Sequence, residues 1–173
     1  VNDYAEAQRQ IQELSLQEKM TLELRLDYLK TLDFQALATL RAACPFPLII
    51  TLRRVDQGGF YPHNEAQRLR DLHALAALNP TYLDLEYDVP SALIHTLKRQ
   101  YPALKLLGSY HHFHETPRDL PALLQEMQKK HFHAYKIATH ALSTLDALRM
   151  LVFVKQYASQ CALTGLCMGE KGQ

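Results

Sequence analysis

Two hydrophobic rhythms alternate along the chain. Short runs that are apolar at every second position, or throughout, predict strands over 20–26, 48–53, 82–86, 104–110, 133–138 and 162–168. Between them, longer stretches with apolar residues every three or four positions predict helices over 3–14, 33–43, 64–78, 91–100, 117–130 and 144–159. Several helices carry start signals. Asp33 is placed to cap the second, Thr116 reads as a cap followed by Pro117 in the first turn of the fifth, and Ser143 is placed to cap the last. In that last helix Leu145, Leu148, Met150, Leu151, Val152 and Val154 make a broad apolar face, as expected of a helix lying on a sheet.

Helix and strand in alternation, six of each, predict a parallel α/β sheet, because parallel neighbours need a crossover and a helix is the usual one. No Gly-x-Gly-x-x-Gly follows the first strand, which weakens the case for an open dinucleotide-binding sheet. One unit takes about 28 residues, so eight would take about 225, close to a (β/α)8 TIM barrel. The expectation is therefore an α/β chain holding about six units of such a barrel, a single partial domain over 1–173, short of one unit at the front and one at the back.

In a barrel, strand alternation turns one set of side chains to the helices and the other to the centre. Leu22, Leu24 and Leu26 take the helix side of the first strand, which leaves Thr21, Glu23 and Arg25 facing inward. Ile49, Thr51 and Arg53 share one face of the second strand, and Tyr82, Asp84 and Glu86 face the centre from the third. The fourth strand ends in Ser109-Tyr110-His111, the fifth carries Lys136 near its end, and the sixth closes on Met168. Ionised groups are costly to bury unless paired. Structural ion pairs would explain Asp84 or Glu86 alone. Glu23, Arg25, Arg53, Asp84, Glu86, His111 and Lys136 converging at strand ends predict an active site, because barrel enzymes keep their sites there.

A lysine with a histidine beside it points to carbonyl chemistry through an imine. The amine attacks only as the free base, a state favoured by desolvation and nearby arginines and opposed by Glu23, Asp84 and Glu86. A protonated imine acidifies the adjacent carbon–hydrogen bond, and an imidazole accepts such a proton near neutral pH.

Taken together, the motifs are similar to those of one family. Leu22-Glu23-Leu24-Arg25-Leu26-Asp27 resembles the Glu-x-Arg-x-Asp strand of type I 3-dehydroquinate dehydratases, and Thr51-Leu52-Arg53 with Gln57-Gly58-Gly59 resembles their Thr-x-Arg and Glu-Gly-Gly segment. Ser109-Tyr110-His111-His112-Phe113 with Thr116-Pro117, Lys136-Ile137-Ala138, and Met168-Gly169 with Gly172 follow in family order. The motifs cover nearly the whole chain, although any one tripeptide alone carries little weight.

The resemblance implies a lyase of the shikimate pathway that dehydrates 3-dehydroquinate to 3-dehydroshikimate, with no cofactor, by a Schiff-base mechanism. Lys136 would form the imine with the ring ketone. His111 would take the adjacent proton and deliver it to the departing hydroxyl. Glu23, Arg25 and Arg53 would hold the ring hydroxyls, Met168 would pack on the ring, and Gln57, Glu86 and His112 would stand behind these groups.

Three departures from the family pattern carry expectations. Gln57 replaces a glutamate beside the catalytic histidine, so His111 is expected to be less basic than in a Gln57→Glu variant. Overlaid pH–rate profiles of the two proteins would contradict this. His112 replaces an aspartate and is expected to change only contacts behind the reacting pair. The sequence stops at Gln173, ahead of a Ser-Arg pair whose arginine clamps the substrate carboxylate in the family. This stretch by itself is therefore expected neither to close a barrel nor to turn over substrate. Some family members are fused to a shikimate dehydrogenase, so a fused dehydrogenase or a second copy of the chain joins the small-molecule substrate as an expected partner.

Composition narrows the alternatives. Of 173 residues, 47% are apolar and 21% charged, ordinary for a soluble globular domain. A formal net charge of +1 argues against a nucleic-acid or membrane-surface binder. No apolar run approaches the roughly 20 residues that span a bilayer, and no signal-peptide pattern opens the chain. Cys44, Cys161 and Cys167 follow neither disulfide nor metal spacing, which suggests a cytoplasmic setting.

His111-His112-x-His114 and His131-x-His133 invite a metal reading. Adjacent strand residues point opposite ways, so His111 and His112 do not readily share an ion, and no metal is expected. His131 and His140 are expected at the surface. The Gly169–Gly172 stretch lacks the P-loop pattern, and Lys129-Lys130 suits a helix end without any ligand. Two rival functions use the same residues. A class I aldolase would act on sugar phosphates instead of dehydroquinate. A degenerate barrel kept as a scaffold would count Gln57 and the missing arginine as lesions, and Ser-Arg codons after Gln173 would argue against it.

Overall fold

The computed structural model describes residues 3–14 and 20–172. Helices and strands alternate as α1 (Tyr4–Glu13), β1 (Leu22–Arg25), α2 (Phe34–Ala43), β2 (Leu48–Thr51), α3 (Glu65–Ala76), β3 (Tyr82–Glu86), α4 (Ser91–Gln100), β4 (Lys105–His111), α5 (Leu120–Gln128), β5 (Ala134–His140), α6 (Thr144–Tyr157) and β6 (Leu163–Met168). Strand order follows chain order within β1–β3 and within β4–β6, and the pairs β1–β2, β2–β3, β4–β5 and β5–β6 are all parallel. The predicted βα alternation is thus present, with strand limits within a few residues of those expected. The chain divides into two compact units, one of residues 1–84 with 92–104 and the other of residues 85–91 with 105–173.

In the first unit, Leu24, Leu48, Ile50 and Leu83 leave the strands on the side predicted to meet helices, and Leu37, Leu40, Leu72, Leu75 and Leu97 answer from α2, α3 and α4. Burying one such side chain stabilises by about 1.5–3 kcal/mol. The helix starts are fixed by side chains. Asp33 Oδ1 accepts from the Gln35 and Ala36 amides at 2.9 and 3.0 Å, and Asn64 Oδ1 accepts from Gln67 at 3.0 Å. Arg68 of α3 is buried, yet its charge is satisfied. It donates to both Glu65 carboxylate oxygens at 2.8 Å and to the Leu52 carbonyl at 3.2 Å.

In the second unit, Leu106, Leu107, Leu124, Met127, Tyr135, Ile137, Met150 and Phe153 are buried. Three expectations need correction. Helix α5 is capped by Asp119, whose Oδ1 accepts from Ala122 at 2.9 Å, with Pro121 in its first turn. Thr116 does not cap it, because its buried hydroxyl is occupied by Thr139 at 2.9 Å and the His140 carbonyl at 3.0 Å. On α6 only Met150 and Phe153 turn to the core, and Leu145, Leu148, Leu151 and Val152 remain exposed. Finally, β5 continues to His140, which makes Lys136 the third of seven residues and not one near the strand's end. Thr139 supports this extension, since its hydroxyl is buried against Thr116 and lies 3.4 Å from Cys167 Sγ.

Candidate active site

In the first unit, strand register sets the predicted inward residues in rows. Arg25 pairs with Thr51 and Thr51 with Asp84, while Glu23 pairs with Ile49 and Ile49 with Tyr82. Residues paired across parallel strands share a face, so Glu23, Arg25, Thr51 and Asp84 stand on one side of the sheet, as alternation requires. Thr51 Oγ1 donates to Glu23 Oε1 at 2.6 Å. Arg53 follows the end of β2, and its Nη2 lies 2.8 Å from Asp84 Oδ2 with both side chains at most 2% exposed. A buried ion pair of this kind holds the guanidinium in a fixed place.

Arg25 closes β1, and its Nε and Nη2 donate to Asp27 Oδ1 and Oδ2 at 2.9 and 2.8 Å. That carboxylate raises the Arg25 guanidinium above its usual value, chiefly by hydrogen bonding. Gln57 ends the 3-10 turn Val55–Gln57, and Gly58 after it adopts φ +74°, a left-handed conformation that favours glycine. The chain then doubles back so closely that a Cβ on Gly59 would collide with the Arg53 carbonyl. The Gln-Gly-Gly motif thus makes a turn against Arg53.

In the second unit, Lys136 is paired with Ser109 and Ala138 with His111. Lys136 and His111 therefore share a face, on neighbouring strands and two residues out of step. The Tyr87 amide donates to the Ser109 carbonyl at 2.8 Å, the bond that sets Glu86 opposite Ser109 in a parallel pair. Glu86, Ser109 and Lys136 thus form one row, with Glu86 and Ser109 buried. Met168 pairs with His140 and so lies on the same face, farther along β6. The His111 ring stacks near Phe113, centroids 6.4 Å apart at 14°. His112 alternates to the other face, where its Nδ1 lies 3.1 and 3.2 Å from the Glu115 carbonyl and amide. The sequence did not single out Asp27, Thr51 or Ser109 for chemistry. Strand parity could have found Thr51 and Ser109, since each sits on the polar face of an otherwise apolar strand.

Among the described residues no group of three or more His, Cys, Asp or Glu gathers where a metal ion could sit, and no helix is long and apolar enough to cross a membrane.

The model of one family, type I 3-dehydroquinase, matches residues 1–173. The chain belongs to the type I 3-dehydroquinase family. It is 34% identical over 128 residues to the 3-dehydroquinate dehydratase of Dehalococcoides mccartyi, covering 73% of this chain and 57% of that protein. Over 155 residues it is 32% identical to the chloroplastic bifunctional 3-dehydroquinate dehydratase/shikimate dehydrogenase of Arabidopsis thaliana, covering 87% of this chain and 25% of that one. The chain thus spans little more than half the length of the first relative and a quarter of the second. The crystal structure of 3-dehydroquinate dehydratase from Geobacillus kaustophilus HTA426 matches with a TM-score of 0.86 at 24% identity, over 99% of this chain and 72% of that one. That likeness shows a common fold. In this type I 3-dehydroquinase chain, the Glu-x-Arg-x-Asp segment is β1 with the turn after it, and Lys-Ile-Ala is the middle of β5.

Proposed function

We propose that the protein is a type I 3-dehydroquinate dehydratase, its six β/α units forming part of a (β/α)8 barrel that comprises residues 1–173 as one domain. The observation that carries this reading is the common face of Lys136 and His111 on paired strands. Two residues rise about 6.6 Å along a strand and neighbouring strands lie about 4.8 Å apart, so the two Cα atoms are about 8 Å apart. Side chains leaving the same face at that separation can address adjacent atoms of one ring.

In this mechanism Lys136 Nζ adds to the ring ketone, and loss of water gives a protonated imine. The imine draws electrons from the neighbouring carbon, and His111 takes the proton released there. The electron pair moves to expel the hydroxyl two carbons from the imine, to which His111 returns its proton. Water then hydrolyses the imine, freeing 3-dehydroshikimate and the amine. The net change is the loss of one water, and no redox partner is needed. Glu86, in the row with Lys136, supplies a negative charge that favours the cationic imine. The motif resemblance supports Glu23, Arg25 and Arg53 as contacts to the ring hydroxyls, Met168 as packing on the ring, and Gln57 and His112 as residues behind the reacting pair. The three cysteines are unbridged, in keeping with a cytoplasmic setting. The product suits a shikimate dehydrogenase, an activity that the Arabidopsis relative joins to its dehydratase in one polypeptide.

The test is formation of the conjugated enone of 3-dehydroshikimate by the full-length protein supplied with 3-dehydroquinate. Turnover that disappears in Lys136→Ala is the expected result. A wild type that leaves dehydroquinate intact but cleaves sugar phosphates would replace this reading with an aldolase.

A further inference from the structure

We propose that Asp27 is a positioning residue that locks the Arg25 guanidinium in one orientation and ties it to the turn after β2. Its value to the reaction rests on the reading of Arg25 as a substrate contact. The lock itself rests only on geometry within the first unit.

Arg25 is the last residue of β1, and its side chain is about one-third exposed. A long side chain at such a place has many rotamers open to it and would otherwise sample many directions. Immediately after it the chain enters the 3-10 turn Leu26–Tyr28, which brings the Asp27 carboxylate beside the guanidinium. Each Asp27 oxygen then accepts one donor of the fork, Oδ1 from Nε at 2.9 Å and Oδ2 from Nη2 at 2.8 Å. Such a two-point contact fixes the plane as well as the position of the guanidinium. It occupies the edge shared by Nε and Nη2, which leaves the Nη1–Nη2 edge for another acceptor. Hydroxyl or carboxylate oxygens are the chemistry that edge recognises.

The Asp27 side chain is fully buried, so its charge needs compensation. Besides Arg25, it receives the Phe60 amide at 3.1 Å on Oδ2. Phe60 directly follows the Gly58-Gly59 turn, so one carboxylate holds both the end of β1 and the segment after β2. Aromatic rings complete the mount. Arg25 Cζ lies 5.1 Å from the Tyr28 ring centroid, and the Tyr28 and Phe60 centroids lie 4.8 Å apart. Asparagine has nearly the same shape but replaces one acceptor with an N–H2 that would face the guanidinium donors.

The test uses the full-length protein and an Asp27→Asn variant. In the ligand-free wild type, nitrogen-15 NMR of the Arg25 side chain is expected to show slow rotation about Nε–Cζ. In Asp27→Asn that rotation is expected to be fast. Fast rotation in the wild type overturns the proposal without reference to any activity, and without needing the variant to fold. The kinetic arm compares Asp27→Asn, Arg25→Ala and the double variant with 3-dehydroquinate. Loss of a charge-assisted contact predicts a KM raised about tenfold to a hundredfold in Asp27→Asn, with a much smaller change in kcat. Against an Arg25→Ala background, Asp27→Asn is expected to add almost nothing. Full additivity would show that Asp27 acts independently of Arg25 and would defeat the positioning role. A wild type inactive on dehydroquinate would refute the reading of Arg25 as a substrate contact, while the rotation measurement would still decide the lock.

Discussion

Truncating Asp84 to alanine is expected to destabilise the protein by about 3–5 kcal/mol. Arg53 Nη2 lies 2.8 Å from Asp84 Oδ2, and neither side chain is more than 2% exposed. An arginine does not give up its proton within the stable pH range of a protein. Asp84→Ala therefore removes a carboxylate that faces a buried cation, and the lost attraction is not recovered by contact with bulk water. The Arg9–Glu13 pair on α1 makes the natural control, since its side chains are 65% and 63% exposed and such pairs contribute about 0–1 kcal/mol. Asp84→Asn keeps the shape and one acceptor, so its expected cost is smaller, about 1–3 kcal/mol. Replacing both partners, Arg53→Met with Asp84→Leu, removes the charge problem and is expected to come within about 1 kcal/mol of wild type, or above it. Urea unfolding provides the assay. With a slope of about 1–3 kcal/mol per molar, the Asp84→Ala midpoint should fall by about 1 M or more at an unchanged slope. An Asp84→Ala midpoint shift no larger than that of Glu13→Ala would refute the reasoning, as would a double variant less stable than the single one.

Further outcomes follow from the same geometry. His111→Ala is expected to lower kcat by about 10²–10⁴-fold while still allowing the amine to be trapped as an imine, and an unchanged kcat contradicts its role as proton carrier. Gly59→Ala forces a methyl against the Arg53 carbonyl and is expected to cost about 1–3 kcal/mol, so a thermal melt matching wild type would contradict the turn. The Arg149 guanidinium, with help from Ser143 and Leu142, holds the Asp146 carboxyl below the usual carboxylate range. Its stabilising effect is thus complete above the unfolded value of about 3.9 and fades as pH falls through the lower folded value. Asp146→Asn should accordingly melt below wild type at pH 7, with the two converging in acid. A gap that persists unchanged at pH 2 would contradict this.

Strand positions were legible in the sequence because alternation and apolar runs report burial directly. Glu23, Arg25 and Asp84 share the face on which parity put them, Arg53 reaches Asp84 from just beyond β2, and Glu86, His111 and Lys136 share a face in the second unit. Parity says nothing about where a strand stops. The predicted strand ends at Ala138, yet β5 continues through Thr139 and His140, where Thr139 finds a buried partner in Thr116, some twenty residues earlier in the chain. The same contact explains why Thr116-Pro117 does not start α5, since the hydroxyl that would cap the helix is engaged elsewhere. On α6 the apolar residues exceed what one sheet face can cover, and periodicity alone could not say that Met150 and Phe153 would be the ones buried. Asp27 was visible only as one letter of a motif. Its bond to Arg25 depends on the 3-10 turn that follows β1, and its bond to Phe60 spans 33 residues of sequence.

The proposed reaction requires the Lys136 amine to condense with a ketone. Borohydride reduction of the full-length protein in the presence of 3-dehydroshikimate, followed by peptide mass mapping, tests it directly. The expected result is a reduced adduct on the peptide containing Lys136, with activity lost in proportion to labelling. An unlabelled Lys136 peptide from an enzyme that still dehydrates its substrate would contradict it.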